Sequence, residues 1–324
     1  MGMKDYIIKR SVFALIAIIA VFIFNFILPR LMPGNPIMFV MGGTKLMPET
    51  REMLIKRFGL DKSVWEQFVA YTWRALHGDL GISFSKYPRP VMELISQRMP
   101  WTIALLVPAV ILASGLGIFV GVLAAWKRGG KFDLTVTNVG LFIWSLPFFW
   151  LALVMLLVFA YYYPIFPLRG AVTRGIEYAN VFDFFKDWLW HSTLPILSLT
   201  IWNYAGYTLM MRNTMVDVLH EEYIVTATAK GLSDRTIMFK HAARNAMLPV
   251  VTQITLSLGF TLSGSIFTET VFSYPGVGLL TYDAVIMRDY PLAQGLFLIT
   301  AIAVIIANLL ADVIYARLDP RVRY

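Results

Sequence analysis

Six strongly apolar runs alternate with polar segments along the chain. Each run is close to the ~20 residues, at ~1.5 Å per residue, that an α-helix needs to cross the hydrocarbon core of a bilayer. The runs cover residues 12–28, 102–126, 134–162, 194–211, 247–267 and 292–314. The pattern therefore predicts an all-α membrane protein with six transmembrane helices.

The first apolar run follows a short basic segment, as the core of a secretory signal peptide does. Lys4, Lys9 and Arg10 supply the positive charge. The run is about as long as a minimal span of ~17 residues, however, which makes it longer than a signal core. Because no Ala-x-Ala-like cleavage site follows it, we expect residues 1–28 to remain as the first span.

The basic residues of the short connections predict the orientation of the spans. With both termini in the cytoplasm, the cytoplasmic segments carry fourteen Lys and Arg residues and the two shorter external connections carry four. Such an excess is typical of cytoplasmic loops. The long segment before the second span carries more basic residues, but a loop longer than ~60 residues tends to be translocated whatever its charge. We therefore expect residues 29–99 to lie outside the cell.

This long external segment contains helix signals of its own. Proline opens one predicted helix at 48–58, and Asp61 is a candidate cap for a second at 61–77, each followed by glycine. Residues 91–99 resemble an amphipathic lead-in to the second span. We expect a helical external cap over residues 29–99, between the first span at 1–28 and a membrane core at 100–324.

A polar segment at 212–248 interrupts two apolar runs and lies on the cytoplasmic side in this orientation. Helix formers favour a short helix at 223–230, and Gly231 stands where a left-handed residue would end it. Ser233 can cap a second helix that runs to about 245, with Asp234 near its positive end. We interpret this pair of short helices as a docking element.

Composition agrees with a membrane protein and excludes several classes of site. The 324 residues are 58% hydrophobic and 15% charged, with a mean hydropathy of +0.65. The absence of cysteine excludes disulfides, thiolate metal sites and cysteine nucleophiles. A net charge of +8 and a helix-turn-helix-like turn at 231–233 could suggest DNA binding. Spans on both sides of that turn keep its helices from a major groove, so we expect no nucleic acid partner.

Motifs for catalysis are absent from the sequence. Gly42-Gly43-Thr44-Lys45 lacks the spacing of a Walker loop, and the chain has neither H-E-x-x-H nor G-x-S-x-G. The four histidines lie in different segments without metal-ligand spacing. We therefore predict no catalytic residue, no metal site and no cofactor in this chain. If ATP is used, a partner binds it.

Uncharged polar residues in the fourth and fifth spans are candidates for a translocation pathway. A pore of this kind would suit an uncharged or zwitterionic solute, although the same residues could join helices by hydrogen bonds. These candidates are Asn203, Tyr204, Tyr207, Gln253, Thr255, Ser257, Thr261 and Ser263.

Two carboxylates stand at the ends of predicted spans. Glu269 follows the fifth span on the external side, and Asp312 lies near the inner end of the sixth. Both are interpreted as interfacial carboxylates that are hydrated or paired, and Glu269 has the alternative role of an external gate.

Several motifs, in order along nearly the whole chain, resemble one family. They are P-G-N-P at 33–36, G-L-D at 59–61, G-D-L-G-x-S at 78–83, A-x-A-K-G-L-S at 227–233, H-A-x-R-N-A-x-L-P at 241–249, E-T-V-F-S-Y-P-G-x-G at 269–278, R-D-Y-P at 288–291 and L-D-P-R at 318–321. The combination resembles permease subunits of ABC importers, in the dipeptide and oligopeptide branch. The long loop before the second span resembles the first of the two permeases that such systems pair.

The resemblance implies a multi-pass protein of the prokaryotic cell membrane, surrounded by lipid. It also implies three kinds of protein partner: a homologous second permease, two ATPases that bind ATP and Mg²⁺, and an external solute-binding protein. A short cytoplasmic helix would couple to an ATPase, with Ala227 and Ala229 permitting close approach. The implied coupling interface comprises Glu222, Tyr223, Thr226, Ala227, Ala229, Lys230, Gly231, Leu232, Ser233 and Asp234.

One departure and several alternatives remain. Val225, Thr226 and Ala227 stand where the generic importer signature has Glu-Ala-Ala, and this departure is similar to the peptide branch. Relatives in this family carry oligosaccharides or nickel complexes, and the spans do not discriminate among these solutes. A stand-alone carrier or channel is a further alternative, and a membrane enzyme is a third.

Overall fold

The computed structural model describes residues 3–31, 61–261 and 264–318, which form helices and a single antiparallel bridge between Ile82 and Pro90. Two further segments, Leu157–Tyr162 and Ile237–Ala242, are π-helical. The α-helices are Met3–Leu31 (α1), Val64–Leu76 (α2), Val91–Trp126 (α3), Lys131–Ser145 (α4), Phe148–Leu156 (α5), Val181–Val218 (α6), Glu222–Ala229 (α7), Asp234–Thr236 (α8), Ala243–Phe260 (α9), Ile266–Val271 (α10), Val277–Ile286 (α11) and Tyr290–Leu318 (α12).

Three helices of the described chain are long and apolar enough to cross a membrane. They contain Ile7–Ile27, Val91–Trp126 and Tyr290–Val313. A fourth span is present if Lys131–Ser145 and Phe148–Tyr162, which meet at 94°, are counted together. The protein is thus a mostly helical membrane protein, and three of the six expected spans are clear by length and composition.

The expected third span is bent instead of straight. Leu146 is extended, with ψ of 136°, and Pro147 caps the next helix. Proline disfavours the helical conformation in the residue before it, which explains the break at this position. The prediction of one continuous helix over 134–162 was therefore wrong.

The expected fourth and fifth spans also differ from the prediction. The run 194–211 lies within the 38-residue helix α6, whose polar residues reduce its hydropathy. In the next run, α9 ends at Phe260, and the short helix α10 begins only after Gly264, which has a φ of +75°. The prediction of one helix over 247–267 was wrong, because the backbone turns at this glycine.

The first and last helices pair antiparallel. Arg10 forms a salt bridge with Asp312 at 3.3 Å. Farther along, Asn25 and Gln294 exchange amide-to-carbonyl hydrogen bonds of 2.9 and 2.8 Å. Asp312 is thus paired, one of the two states expected for it. Met3 and Leu318 consequently stand at the same end of the bundle.

The two ends of the bundle are defined by its apolar clusters. Val91, at the start of α3, packs with Leu292 near the start of α12. At the other end of α3, Ala125 packs with Met215 of α6 and Ile224 of α7. We name these the α10 end and the α7 end. Since α12 runs parallel to α3, both termini of the described bundle stand at the α7 end.

Small residues let α3 and α6 approach closely. A Cβ atom on Gly117 would lie 2.5 Å from Cβ of Tyr207, and one on Gly121 would lie 2.7 Å from the carbonyl oxygen of Thr208. Glycines four residues apart are a common device for close packing between membrane helices. This contact forms the centre of the bundle.

An ion pair joins the start of α4 to α6 at the α7 end. The guanidinium of Arg212 donates two hydrogen bonds, of 2.9 and 2.8 Å, to Asp133. Asp133 is only 2% exposed, and it also accepts from the backbone N–H of Gly129 at 2.9 Å. A buried charge of this kind is stable only with a partner, so the pair holds α4 in place.

The described part of the expected external cap, residues 61–99, contains helix α2, the bridge between Ile82 and Pro90 and the start of α3. The N-cap of α2 is Ser63, which forms a reciprocal capping box with Glu66, so the expected Asp61 cap was wrong by two residues. The expected helix at 48–58 lies outside the described residues. Residues 91–99 belong to α3, which passes without a break through the boundary drawn between 99 and 100.

Asn25→Leu should weaken the docking of α1 on α12, because the amide bonds both Gln294 and the hydroxyl of Tyr71 at 2.8 Å. Hydrogen bonds between membrane helices contribute about 1 kcal/mol. We expect a lower unfolding midpoint in detergent, and a comparable further loss when Gln294→Leu is added, because each side chain donates to the other residue's backbone carbonyl and the two bonds are separate. Phe24→Leu, at a side chain that is 70% exposed, is the matched control. An unchanged midpoint in Asn25→Leu would contradict the proposed pairing.

Candidate functional site

The cytoplasmic docking element of the prediction corresponds to α7 and the turn that follows it. The N–H of Gly231 donates to the carbonyl of Thr228 at 2.9 Å, and Gly231 has a φ of +73°. The left-handed turn expected at this glycine is therefore confirmed. Ser233 is the N-cap residue of the next helix, and its hydroxyl lies 2.9 Å from that of Thr236.

The helix after this turn is longer than expected. α8, the π-helical segment Ile237–Ala242 and α9 follow one another in helical conformation from Asp234 to Phe260. The expected end near residue 245 was wrong, because alanines 242, 243 and 246 favour a helix and are buried in the bundle. The turn after α7 is therefore followed by one continuous helical segment, residues 234–260, which we call the rod and which packs in the bundle.

Only one face of α7 is available to a partner. Ile224 and Ala227 are 4% and 7% exposed, and they pack in the same apolar cluster as Ile237 and Met238. Ala227, expected to meet an ATPase, therefore contacts the protein's own core. The other residues of the expected interface are exposed: Glu222, Tyr223, Thr226, Ala229, Lys230, Gly231, Leu232, Ser233 and Asp234.

A hydrogen bond ties α7 to the following rod. Nδ2 of Asn245 donates to the hydroxyl of Tyr223 at 2.6 Å. Together with the buried pair Ile224 and Ala227, this bond attaches α7 to the rod. The sequence did not predict this bond, because its two residues are 22 positions apart and Asn245 was noted only as part of the motif at 241–249.

The described candidate pathway residues lie along α6 and α9 or just after α9, and three of them satisfy their polar groups within their own helical segment. Asn203 donates to the carbonyl of Leu199 at 2.9 Å, and Thr255 to that of Val251 at 2.9 Å. Thr261 does the same toward Ser257 at 3.2 Å. Tyr204 is half-buried, Gln253 is exposed, and Ser263 lies outside the described residues.

One pair among these candidates bridges the two helices. The hydroxyl of Tyr207 donates to Oγ of Ser257 at 2.8 Å, and Tyr207 is buried. This contact is the interhelical hydrogen bond that the sequence allowed as an alternative to pathway lining.

Glu269 is fully buried, with 0% of its surface exposed. Its carboxylate accepts hydrogen bonds from the hydroxyl of Thr102 at 3.0 Å and the backbone N–H groups of Leu279 at 2.9 Å and Ser265 at 3.3 Å. The hydroxyl of Thr102 in turn accepts from the N–H of Val277 at 2.7 Å. Glu269 and Thr102 thus cap the N-terminus of α11, whose own N-cap residue is glycine.

Three glycines enclose this carboxylate. A Cβ atom would lie 2.3 Å from Oε2 at Gly276, 3.0 Å from Oε2 at Gly278 and 3.2 Å from Oε1 at Gly264. The expectation of a hydrated or paired interfacial carboxylate was wrong for Glu269, because α10, α11 and α3 bury it together. We call Glu269, Thr102 and these glycines the Glu269 node.

Burial also sets the acidity of Glu269, which lies outside the helices identified as spans. Burial raises the pKa of the carboxyl above its usual range. The donated hydrogen bonds, that of the Leu279 N–H first, oppose this rise because they favour the charged form.

A second buried carboxylate at the α10 end was missed by sequence reasoning. Asp289 is 0% exposed and accepts from the N–H and the hydroxyl of Ser85 at 2.9 and 2.7 Å, and from the hydroxyl of Ser83. Its other oxygen accepts from the N–H of Leu292 at 3.2 Å, near the start of α12. The motifs at 78–83 and 288–291, noted separately in the sequence, therefore meet at this residue.

The sequence is similar to known families and proteins over nearly its whole length. Residues 117–324 match the family described as binding-protein-dependent transport system inner membrane component, and residues 3–106 match its N-terminal counterpart. The dipeptide transport system permease protein DppB of Escherichia coli is 38% identical over 99% of both chains. The oligopeptide transport system permease protein AppB of Bacillus subtilis is 35% identical over 99% of this chain and 100% of its own.

A third relative, the di/tripeptide transport system permease protein DppB of Pseudomonas aeruginosa, is 34% identical over 99% of both chains. These relatives are transport components and not enzymes. The resemblance to peptide permeases is confirmed, and the chain is a multi-pass prokaryotic membrane protein. It belongs to the family of inner membrane components of binding-protein-dependent transport systems, in the branch of the dipeptide and oligopeptide permeases.

Proposed function

We propose that this chain is the transmembrane subunit through which an ATP-driven importer takes up dipeptides and oligopeptides from an external binding protein. The observation that carries the proposal is the exposed face of α7. The buried face of α7 is attached to the rod of residues 234–260, which would extend into the membrane. The names of relatives such as DppB and AppB support peptides as the cargo. Uncharged polar groups along α6 and α9 suit a zwitterionic solute.

We further propose six spans, with both termini and the α7 end in the cytoplasm and residues 29–99 outside. The antiparallel pairing of α1 with α12 supports this topology, because it brings both chain ends to the α7 end. The excess of Lys and Arg in the segments at that end supports the orientation. The fourth and fifth spans would then be α6 and α9, and residues 212–248 would form the coupling segment of the core at 100–324.

The proposed partners are a homologous second permease, two ATPases that supply ATP and Mg²⁺ binding, and the binding protein. Closure of the ATPases would move α7 through its exposed residues. Because Ile224, Ala227 and the bond from Tyr223 to Asn245 attach α7 to the rod, that movement would shift α9 with it. Such rigid-body movement of packed helices is a common form of coupling.

The outer gate is proposed as an element and not as a single side chain. Glu269 holds α10 and α11 against Thr102 of α3, so these two helices would open and close as a unit. The solute itself would meet the half-buried and exposed polar residues of α6 and α9, such as Tyr204 and Gln253.

Reconstitution in liposomes tests the proposal. With the second permease, both ATPases and the binding protein present, we expect uptake of a labelled dipeptide that stops when ATP or the binding protein is omitted. Mass spectrometry of the isolated binding protein should find peptides. Oligosaccharides or nickel complexes in that protein would overturn the cargo and keep the importer, whereas transport by this chain alone without ATP would overturn the importer.

A further inference from the structure

An open groove of about 510 Å³ lies between α3 and the rod, beside the π-helical segment Ile237–Ala242. Most of its lining is apolar. The residues that line it are Gly115, Ile118, Phe119, Val122, Phe239, Lys240, Ala243, Arg244 and Met247. No residue of the proposed pathway is among them, so the groove is separate from the route of the solute.

Two cations stand beside this apolar lining. Lys240 and Arg244 are exposed and four residues apart, and both border the groove. Among residues 7–27, 61–261 and 264–313, where side chains are described, neither forms a salt bridge. Like charges at this spacing repel each other. An anion bound between them would remove that repulsion.

The groove lies beside the last turns of α3, a helix long and apolar enough to cross a membrane. Val122 lies one turn from the end of α3 at Trp126, and Gly115 lies two turns farther into the span, about 10 Å along the helix axis. The apolar walls therefore extend toward the hydrocarbon core, while Lys240 and Arg244 belong to the segment that leaves the membrane at the α7 end. A ligand that fills the groove needs an anionic head and an apolar chain.

We infer that this groove binds an anionic phospholipid of the leaflet at the α7 end. Its phosphate would bind Lys240 and Arg244, and an acyl chain would lie along Phe119, Val122 and Met247. Basic pockets between membrane helices bind anionic headgroups in this way. A zwitterionic lipid would leave the net positive charge uncompensated, and a protein occupant would have to supply both an acid and an apolar segment.

A thiol probe tests this site cleanly because the chain contains no cysteine. Leu116→Cys, at a residue that is 51% exposed and follows the groove residue Gly115 along α3, gives a single position for a fluorophore on the full chain in lipid nanodiscs. Brominated phosphatidylglycerol titrated against brominated phosphatidylcholine should quench the probe with about thirtyfold preference, the size expected for two cations that each contribute about 1 kcal/mol near an anionic headgroup.

The double variant Lys240→Gln with Arg244→Gln should bring this preference close to one. The matched control, Lys127→Gln with Arg128→Gln, removes two exposed cations at the same end that do not line the groove, and it should keep the preference. Equal quenching by both lipids in the unaltered chain would overturn the site. So would loss of preference in the control, or a probe that neither lipid can quench.

Discussion

Replacing Gly231 by valine is expected to reduce ATP-dependent peptide uptake by about 5- to 150-fold, while the chain stays in the membrane at its normal level. Gly231 has a φ of +73°, and a Cβ atom there would meet nothing within 4 Å. The penalty is therefore backbone strain alone, of about 1–3 kcal/mol for a β-branched residue. Release of that strain would rotate α7, and its exposed face would then no longer be oriented toward the proposed ATPase partner.

A series of substitutions at Gly231 separates backbone strain from other causes of reduced uptake. Gly231→Asn should retain most uptake because asparagine tolerates the left-handed region, and Gly231→Ala should fall between asparagine and valine. Gly175→Val is the matched control, since Gly175 has a φ of +79° and equally open surroundings in the connection before α6. Uptake and substrate-stimulated ATPase activity are the two readouts. Full activity of Gly231→Val would remove the coupling role from this turn.

Glu269→Ala is expected to destabilise the α10 end by about 3 kcal/mol or more. The variant leaves the Thr102 hydroxyl and the N–H groups of Leu279 and Ser265 without their acceptor. Each buried donor without a partner costs about 1–3 kcal/mol. We expect a lower unfolding midpoint and less monodisperse protein in detergent. Glu177→Ala, at an exposed carboxylate between α5 and α6, should change neither.

Glu269→Gln distinguishes a structural role of the carboxylate from direct contact with the solute. The amide keeps one acceptor oxygen but turns an NH₂ group toward a backbone donor, so stability should fall less than in Glu269→Ala. We expect uptake to follow stability in both variants. Normal stability with lost uptake in Glu269→Gln would mean that the carboxylate contacts the solute in another conformation.

The turn after α7 could be predicted from local rules. Gly231 ends one helix and Ser233 begins the next, and both roles depend on backbone angles and on residues close in the chain. The buried face of α7 could not be predicted, because Tyr223, Ile224, Val225 and Ala227 are all compatible with burial. The cluster of Val216, Ile237 and Met238 decides that Ile224 and Ala227 face inward.

The positions at which the apolar helices break could not be predicted from local sequence either. Pro100, Pro108, Pro195 and Pro249 lie inside α3, α6 and α9 without ending them, whereas Pro147 coincides with a 94° bend. In a membrane protein, neighbouring helices can satisfy the backbone groups that a proline frees. Whether a proline breaks a helix therefore depends on what packs beside it, which the local sequence does not specify.

The sequence by itself determined the class of protein, the apolar runs and the polar segment 212–248 with its left-handed glycine. These features follow from composition, hydropathy and residues close together in the chain. Only the tertiary structure decided how the buried polar groups are satisfied. Glu269 pairs with Thr102 across 167 positions, Asp289 with Ser85 across 204, and Asn25 with Gln294 across 269. A buried donor or acceptor must find a partner, and at such separations folding alone brings that partner within reach.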